Sequence, residues 1–160
     1  MATSSTSTWR RSQETTLKDV VDDVSSSQKY HVESVVIVAV AFRKDATYPG
    51  CTLCRRRVHL REIGFTCVSH GAQQDAPIYR YRVRVLLSQP AHPGQELWVT
   101  LWDEQMRCFV EFDADVFNHL STDEKAQTLQ HLKGTRVRVD LTKETCGKYT
   151  SYNVTDLTVL

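Results

Sequence analysis

The 160 residues are 41% hydrophobic and carry twenty lysines and arginines against nineteen aspartates and glutamates, for a net charge of +1. That size and apolar content suit one packed core. The apolar run Val35 to Phe42 is far shorter than the ~20 residues of a bilayer-spanning helix, and no basic, apolar and small-residue sequence of the signal-peptide kind opens the chain. A soluble intracellular protein is expected.

Residues 1–16 are rich in serine and threonine and poor in apolar residues, and are expected to form a disordered tail ahead of a single domain over 17–160. Arg10 and Arg11, with no acid before Glu14, leave a transit-peptide reading open beside the plain tail. Val35 to Phe42, β-branched and apolar on both faces, predicts the first strand. Behind it, in an insertion at about 48–76, stand Cys51-Thr-Leu-Cys54 and Cys67-Val-Ser-His70, two short pairs twelve residues apart. Each pair brackets a tight turn and brings two soft ligands to one point, and two such turns supply the closed tetrahedral set of a structural Zn2+. A Cys3His zinc ribbon is predicted, with no open position for activating water. A redox C-x-x-C is the rival; it needs no second pair and commonly opens a helix, whereas Pro49 and Gly50 precede a turn here. His59 is the substitute ligand should His70 lie too far away. Five cysteines, an odd number, argue against a disulfide framework, and Cys108 and Cys146 read as free thiols.

Four more strands are predicted at Tyr79–Leu87, Glu96–Trp102, Thr135–Leu141 and Lys148–Val159, with a helix over Asp113–Leu132 between the third and fourth strands. Ser121-Thr-Asp-Glu124 has the form of a capping box, Gly134 is the stop, and Ala126, Leu129 and Leu132 form the buried stripe. The last strand changes phase between Val154 and Leu157, which implies a bulge or the end of pairing. Three strands, a helix and two strands, with a zinc ribbon between the first two, is the order of a mainly β, five-stranded OB-fold barrel.

The near-neutral charge is a sum of opposites. From Arg43 to Arg84 nine bases face three acids, giving +6, while from Leu101 to Ala126 seven acids face two bases, giving −5. In the second strand Tyr81, Val83 and Val85 point one way and Arg80, Arg82 and Arg84 the other; in the third, Trp98 and Trp102 oppose Leu97, Val99 and Leu101. Aromatic and guanidinium groups on one face suit a single nucleic-acid strand, with bases stacked on rings for roughly 1–3 kcal/mol each and arginines on phosphates. Arg55, Arg56 and Arg57, beside the zinc turn, are candidates for the same phosphate contact. The competing readings are a second buried surface under the tryptophans and a merely solubilising charge run.

The ordered set Thr16-Leu17-Lys18-Asp19, the two zinc pairs, Tyr79-Arg80-Tyr81-Arg82, Leu97-Trp98-Val99-Thr100, the helix and Arg136-Val137-Arg138-Val139 resembles the C-terminal zinc-containing OB domain of the large subunit of replication protein A, over most of the chain. Telomere-associated, telomerase-associated and meiosis-specific paralogues share that domain. The resemblance implies a non-enzymatic, nuclear, single-stranded DNA-binding domain acting in replication, repair, recombination or telomere maintenance, with other OB-fold subunits as partners. Trp98 and Trp102 match its stacking positions, and Cys51, Cys54, Cys67 and His70 its zinc ligands. Tyr81 and Tyr149 or Tyr152 fall near its other contact strands. Two features depart from the pattern. His70 stands where the family usually has a fourth cysteine, and the chain stops at Leu160, so the family's trimerisation helix is not expected; an excised domain, a stand-alone paralogue and a subunit using another surface all fit. The alternative function is a protein-interaction module that assembles a complex with little DNA binding of its own.

Overall fold

The computed structural model describes residues 15–23, 29–41, 46–54, 56–62, 64–72 and 76–160. The serine-rich stretch 1–14, the end of the first predicted strand at Phe42 and Arg55 lie outside the described residues.

Nine strands and four short helices are described: α1 (Leu17–Asp22), β1 (Lys29–Val40), β2 (Thr47–Gly50), β3 (Val58–Arg61), β4 (Gly64–Cys67), β5 (Gly71–Ala72), β6 (Ile78–Ser88), β7 (Glu96–Trp102), α2 (Asp103–Met106), α3 (Ala114–Asn118), α4 (Thr122–Gln130), β8 (Arg136–Cys146) and β9 (Tyr149–Val159). The large sheet runs β1-β8-β9-β7-β6-β2, and β1 also pairs with β6, so β1, β8, β9, β7 and β6 close into a ring. This is the OB-fold barrel, with β7 and β9 parallel where it closes. β1 serves two neighbours because it is long and bulged. Its first part pairs with β8, its last part with β6, and register shifts at 32–35 and 37–39 bend it from one to the other. The inserted chain between β1 and β6 leaves β2 on the edge of β6 and folds β3, β4 and β5 into a separate antiparallel sheet.

Alternation along the strands fills the barrel. Val32, Val35, Ile37, Val83, Val85, Leu87, Val99, Leu101, Val137, Val139 and Leu141 are buried and their sequence neighbours on β6 and β8 are mostly polar. The strand ends differ from expectation: β1 begins six residues earlier than Val35, and β8 runs on to Cys146, because polar residues such as His31 and Glu144 sit on the outer face without interrupting the ladder. The phase change in β9 is a bulge, since Asp140 faces Asp156 while Leu141 faces Val154, leaving Thr155 as the extra residue.

The expected single helix over 113–132 is two helices. Ser121 is extended (ψ 164) and caps α4, with its hydroxyl accepting from Glu124 N–H and the Glu124 carboxylate accepting from Ser121 N–H. A residue that caps a new helix cannot continue the old one, so α3 ends at Asn118. Leu129 and Leu132 are buried as expected. α1 is a helix the strand pattern did not announce. Thr16 and Asp19 form its capping box, and Leu17 and Val20 enter the core. The buried Gln89 side chain accepts from Leu17 N–H, and the Lys143 ammonium donates to the carbonyls of Val20, Val21 and Asp23, holding both helix ends against the barrel.

Candidate nucleic-acid interface and metal centre

The two short pairs converge. The ligand atoms of Cys51, Cys54, Cys67 and His70 all lie within 4.8 Å of one another. Cys51 Sγ is 3.6 Å and Cys67 Sγ 3.8 Å from His70 Nδ1, and Cys54 Sγ is 3.7 Å from Cys67 Sγ. A tetrahedron with Zn–S arms of ~2.3 Å and a Zn–N arm of ~2.0–2.1 Å has edges of about 3.5–3.8 Å, so the spacing suits one metal ion held by all four. The pairing β3–β4 sets this up, placing Val58 opposite Cys67 under the site, where Cys51, Val58 and Cys67 form a small core of their own. Burial pushes the Cys51 thiol up, but the backbone N–H groups of Cys54 and Leu53 outweigh it and leave the group below its ordinary value. Cys67 behaves alike, with burial opposed by the Ser69 and His70 amides. Each turn thus favours one thiolate, the form a metal binds, whereas at Cys54 the Arg56 amide is outweighed by burial and by the neighbouring Cys67 and Cys51, which leave that thiol above its ordinary value. His59 is exposed on β3, while His70 supplies the fourth atom.

The outer face of β6 and β7 carries the aromatic and cationic groups in register. Arg82 faces Trp102, Arg84 faces Thr100 and Leu86 faces Trp98. Trp98 is exposed, and the Arg84 guanidinium lies 5.5 Å from its ring centre. Trp102 is half-buried and fixed on two sides. Its indole N–H donates to Asn153 Oδ1 on β9 (3.1 Å), and the Tyr48 ring meets it edge-on at 6.0 Å and 90°. Two hollows meet at this ring. One, of about 390 Å³, is lined by Tyr48, Arg56, Arg57, Arg82 and Trp102; the other, of about 710 Å³, is lined by Tyr48, Cys54, Arg56, Arg80, Trp102, Asp103, Glu104, Gln105, Val154 and Thr155. The ribbon and barrel therefore share a groove, with Arg56 and Tyr48 bordering both hollows.

Three of the predicted contact residues lie away from the open face that Arg82, Arg84 and Trp98 occupy. Tyr81 is 2% exposed; its ring packs on Phe117 and its hydroxyl donates to the Phe112 carbonyl, so it is a core residue, as its strand parity with Val83 and Val85 requires. Tyr152 lies on the opposite face of β9 from Asn153, against the core, with the Lys143 ammonium 5.8 Å from its ring centre, and so stands apart from the tryptophans. Arg80 shares parity with Arg82 and Arg84, but its side chain is only 18% exposed. It crosses over Gly50 and approaches Asp103 at 3.9 Å, leaving it deep in the larger hollow. Tyr149 is 73% exposed near the β8–β9 turn and Arg57 is exposed beside the ribbon. Tyr48 and Asn153 were not anticipated. Tyr48 sits just before Pro49-Gly50-Cys51, and the edge strand that brings it to Trp102 has only four residues, too few for a periodic signal.

The fold and site define an OB-fold domain with an inserted ribbon and a Cys3His group that can hold a metal. No family profile and no curated protein matches the chain. Solved structures do match in fold: a chain of a replication protein A heterotrimer bound to single-stranded DNA (TM-score 0.69, 14% identity), covering 84% of this chain and 33% of that one, and yeast replication protein A bound to single-stranded DNA (TM-score 0.64, 18% identity), covering 92% of this chain and 88% of that one. The chain thus spans a third of the first of these and most of the second.

Proposed function

We propose that the chain is a non-enzymatic single-stranded DNA-binding domain of the replication protein A type. The observation that carries it is the fixed Trp102 ring, lying where two arginine-lined hollows meet, with Trp98 exposed on the same face under the Arg84 guanidinium. Bases stack on Trp98 and Trp102, while Arg82, Arg84, Arg56 and Arg57 contact phosphates, and the exposed Tyr149 and the neighbouring Arg55 of the sequence are further candidate contacts. The Cys3His group holds Zn2+, which fixes the ribbon beside the groove and supplies no chemistry of its own. The likeness to replication protein A assemblies supports partnership with other OB-fold subunits in DNA replication, repair, recombination or telomere maintenance, in the nucleus. Titration with an unstructured oligonucleotide tests the reading. Tryptophan quenching and affinity should both fall when Trp98 and Trp102 are changed to alanine, and unchanged values would sink the stacking assignment.

Leu53, Leu60 and Val68 on the ribbon are 72–80% exposed and favour a second reading, in which the ribbon docks a partner subunit. Leu53→Ser with Leu60→Ser and Val68→Ser should then weaken subunit capture and leave oligonucleotide affinity intact.

A further inference from the structure

The edge strand of a sheet carries a row of unpaired backbone donors and acceptors, which proteins blunt with charge or cover with another segment. Ribbon strand β3 is such an edge. The ribbon sheet runs β3-β4-β5, so among the described residues Val58–Arg61 pairs with β4 alone, and β2 meets the other side only at the Gly50–Arg57 bridge. Alternate N–H and C=O groups of an antiparallel strand point away from its partner, and His59, Leu60 and Arg61 on this one are all exposed. The side chains along the edge are sorted by parity. Arg57, His59 and Arg61 share one face. Val58 and Leu60 share the other, with Val58 buried in the small core beside the metal ligands and Leu60 opposite Phe65, which packs on that core. Leu60 is itself 72% exposed. Arginines alone would blunt the edge, but a bare leucine between them leaves it an apolar anchor.

The pattern also selects the occupant. A second copy paired edge to edge would set the arginines of one β3 against those of the other, and like charges directly opposite are destabilising. Over 51–72 four arginines stand against one glutamate, so the complementary strand is acidic. Directly opposite residues place their side chains on the same face, which puts acids across from His59 and Arg61 and an aliphatic residue across from Leu60. A DNA backbone brings acceptors but no donors and leaves the outward carbonyls unmatched. Resting on the reading in which the ribbon docks a partner subunit, we propose that the open edge of β3 receives an extended segment of that partner as a fourth strand, with acidic and aliphatic residues in alternation. Main-chain hydrogen bonds hold the segment, and the alternation sets its register.

The probe is a capped peptide in which glutamates alternate with valine and leucine, titrated against the full Zn2+-loaded chain beside a second peptide of the same composition with its glutamates in one block. The alternating peptide should bind about tenfold more tightly than the blocked one and should slow amide exchange over 58–61, the mark of an added strand. Arg61→Glu turns an attractive cross-strand pair into a repulsive one and should weaken binding about tenfold, with Leu60→Lys having a similar effect. Both positions are exposed, and unchanged Zn2+ content shows that the ribbon still folds in each variant. Equal binding of the two peptides, or binding without protection over 58–61, would overturn the proposal. So would protection of 58–61 by an oligonucleotide that the alternating peptide cannot match, which assigns the edge to DNA, or a chain that pairs with itself through Leu60. If neither peptide binds, strand addition is wrong, and the docking reading is judged separately: it stands if the serine substitutions at Leu53, Leu60 and Val68 still weaken subunit capture, and it falls too if they do not.

Discussion

Two outer faces of the same barrel treat their charged groups in opposite ways. On β1 and β8, His31 Nδ1 and Nε2 sit 2.6 and 2.8 Å from the carboxylates of Asp140 and Glu33, and Arg138 Nε donates to Glu33 at 3.0 Å, so the charges are spent on one another. On β6 and β7, Arg82 and Arg84 are exposed, have no ion pair among the described residues, and lie beside indole rings. A nearly neutral protein can hold a polyanion-binding face if its acids are paired elsewhere. The presence of arginine is thus less informative than whether a carboxylate already occupies it.

The largest effect that would test this contrast is on the ribbon side of the second face. Metal analysis should find about one Zn2+ per chain, and chelation or Cys67→Ser should disorder the ribbon, because structural zinc contributes on the order of 10 kcal/mol or more to small metal-stabilised folds. Far-ultraviolet dichroism should show the barrel retained and oligonucleotide titration a steep loss. A metal-free folded chain with full affinity would break the link between ribbon and groove. Next in size, Trp102→Ala and Trp98→Ala should each cost about 1–3 kcal/mol of binding.

The contrast between faces is sharpest in salt. Arg82→Ala should lower the slope of log affinity against log salt by about 0.7, the value for one phosphate contact on a single strand, whereas Arg138→Ala should leave it unchanged. Equal effects from the two substitutions would erase the distinction drawn here.

The smallest expected effect concerns the paired face alone. Hydrogen bonds from His31 to Asp140 and then to Glu33 raise the imidazole above its ordinary value of 6.5. The folded state therefore holds the proton more tightly than the unfolded chain, so this pairing stabilises fully below pH 6.5 and its contribution is lost as pH rises through the raised value. Glu33, lowered first by His31 and also by Arg138, works in the other direction, stabilising above its ordinary value and losing that on acidification. With His31 half exposed, the gain is under about 1 kcal/mol. Melting temperatures of the native chain and His31→Gln should differ most in mildly acidic buffer and converge at high pH.

How much of this was legible in the sequence depended on whether a feature was local. The ligand pairs, the Arg–Tyr–Arg–Val alternation of β6 and the two tryptophans of β7 are written in consecutive residues, so their faces could be read from parity. Parity also implied a core position for Tyr81, which the likeness to contact strands overrode. Tyr152 was harder. It sits three residues before the Thr155 bulge, and its face is settled by Asn153 reaching Trp102 from another strand. Arg80 shows the limit most clearly, since its sequence spacing equals that of Arg82 and Arg84. What separates it is Gly50 and Asp103, thirty and twenty-three residues away along the chain, which roof it over and draw it inward.

The β7–β9 seam is the narrowest join in the barrel, a parallel contact registered at Thr100 and Asn153, and the Trp102–Asn153 hydrogen bond lies across it. The ring on which a base would rest is therefore also a latch. A ligand that holds the ring holds the seam, and a seam that breathes withdraws the ring. Ligand occupancy and barrel opening become opposing events, measurable as amide exchange along 153–157. Saturating oligonucleotide should slow that exchange. Trp102→Phe, which keeps an aromatic plane and loses the indole N–H, should speed it while binding largely persists.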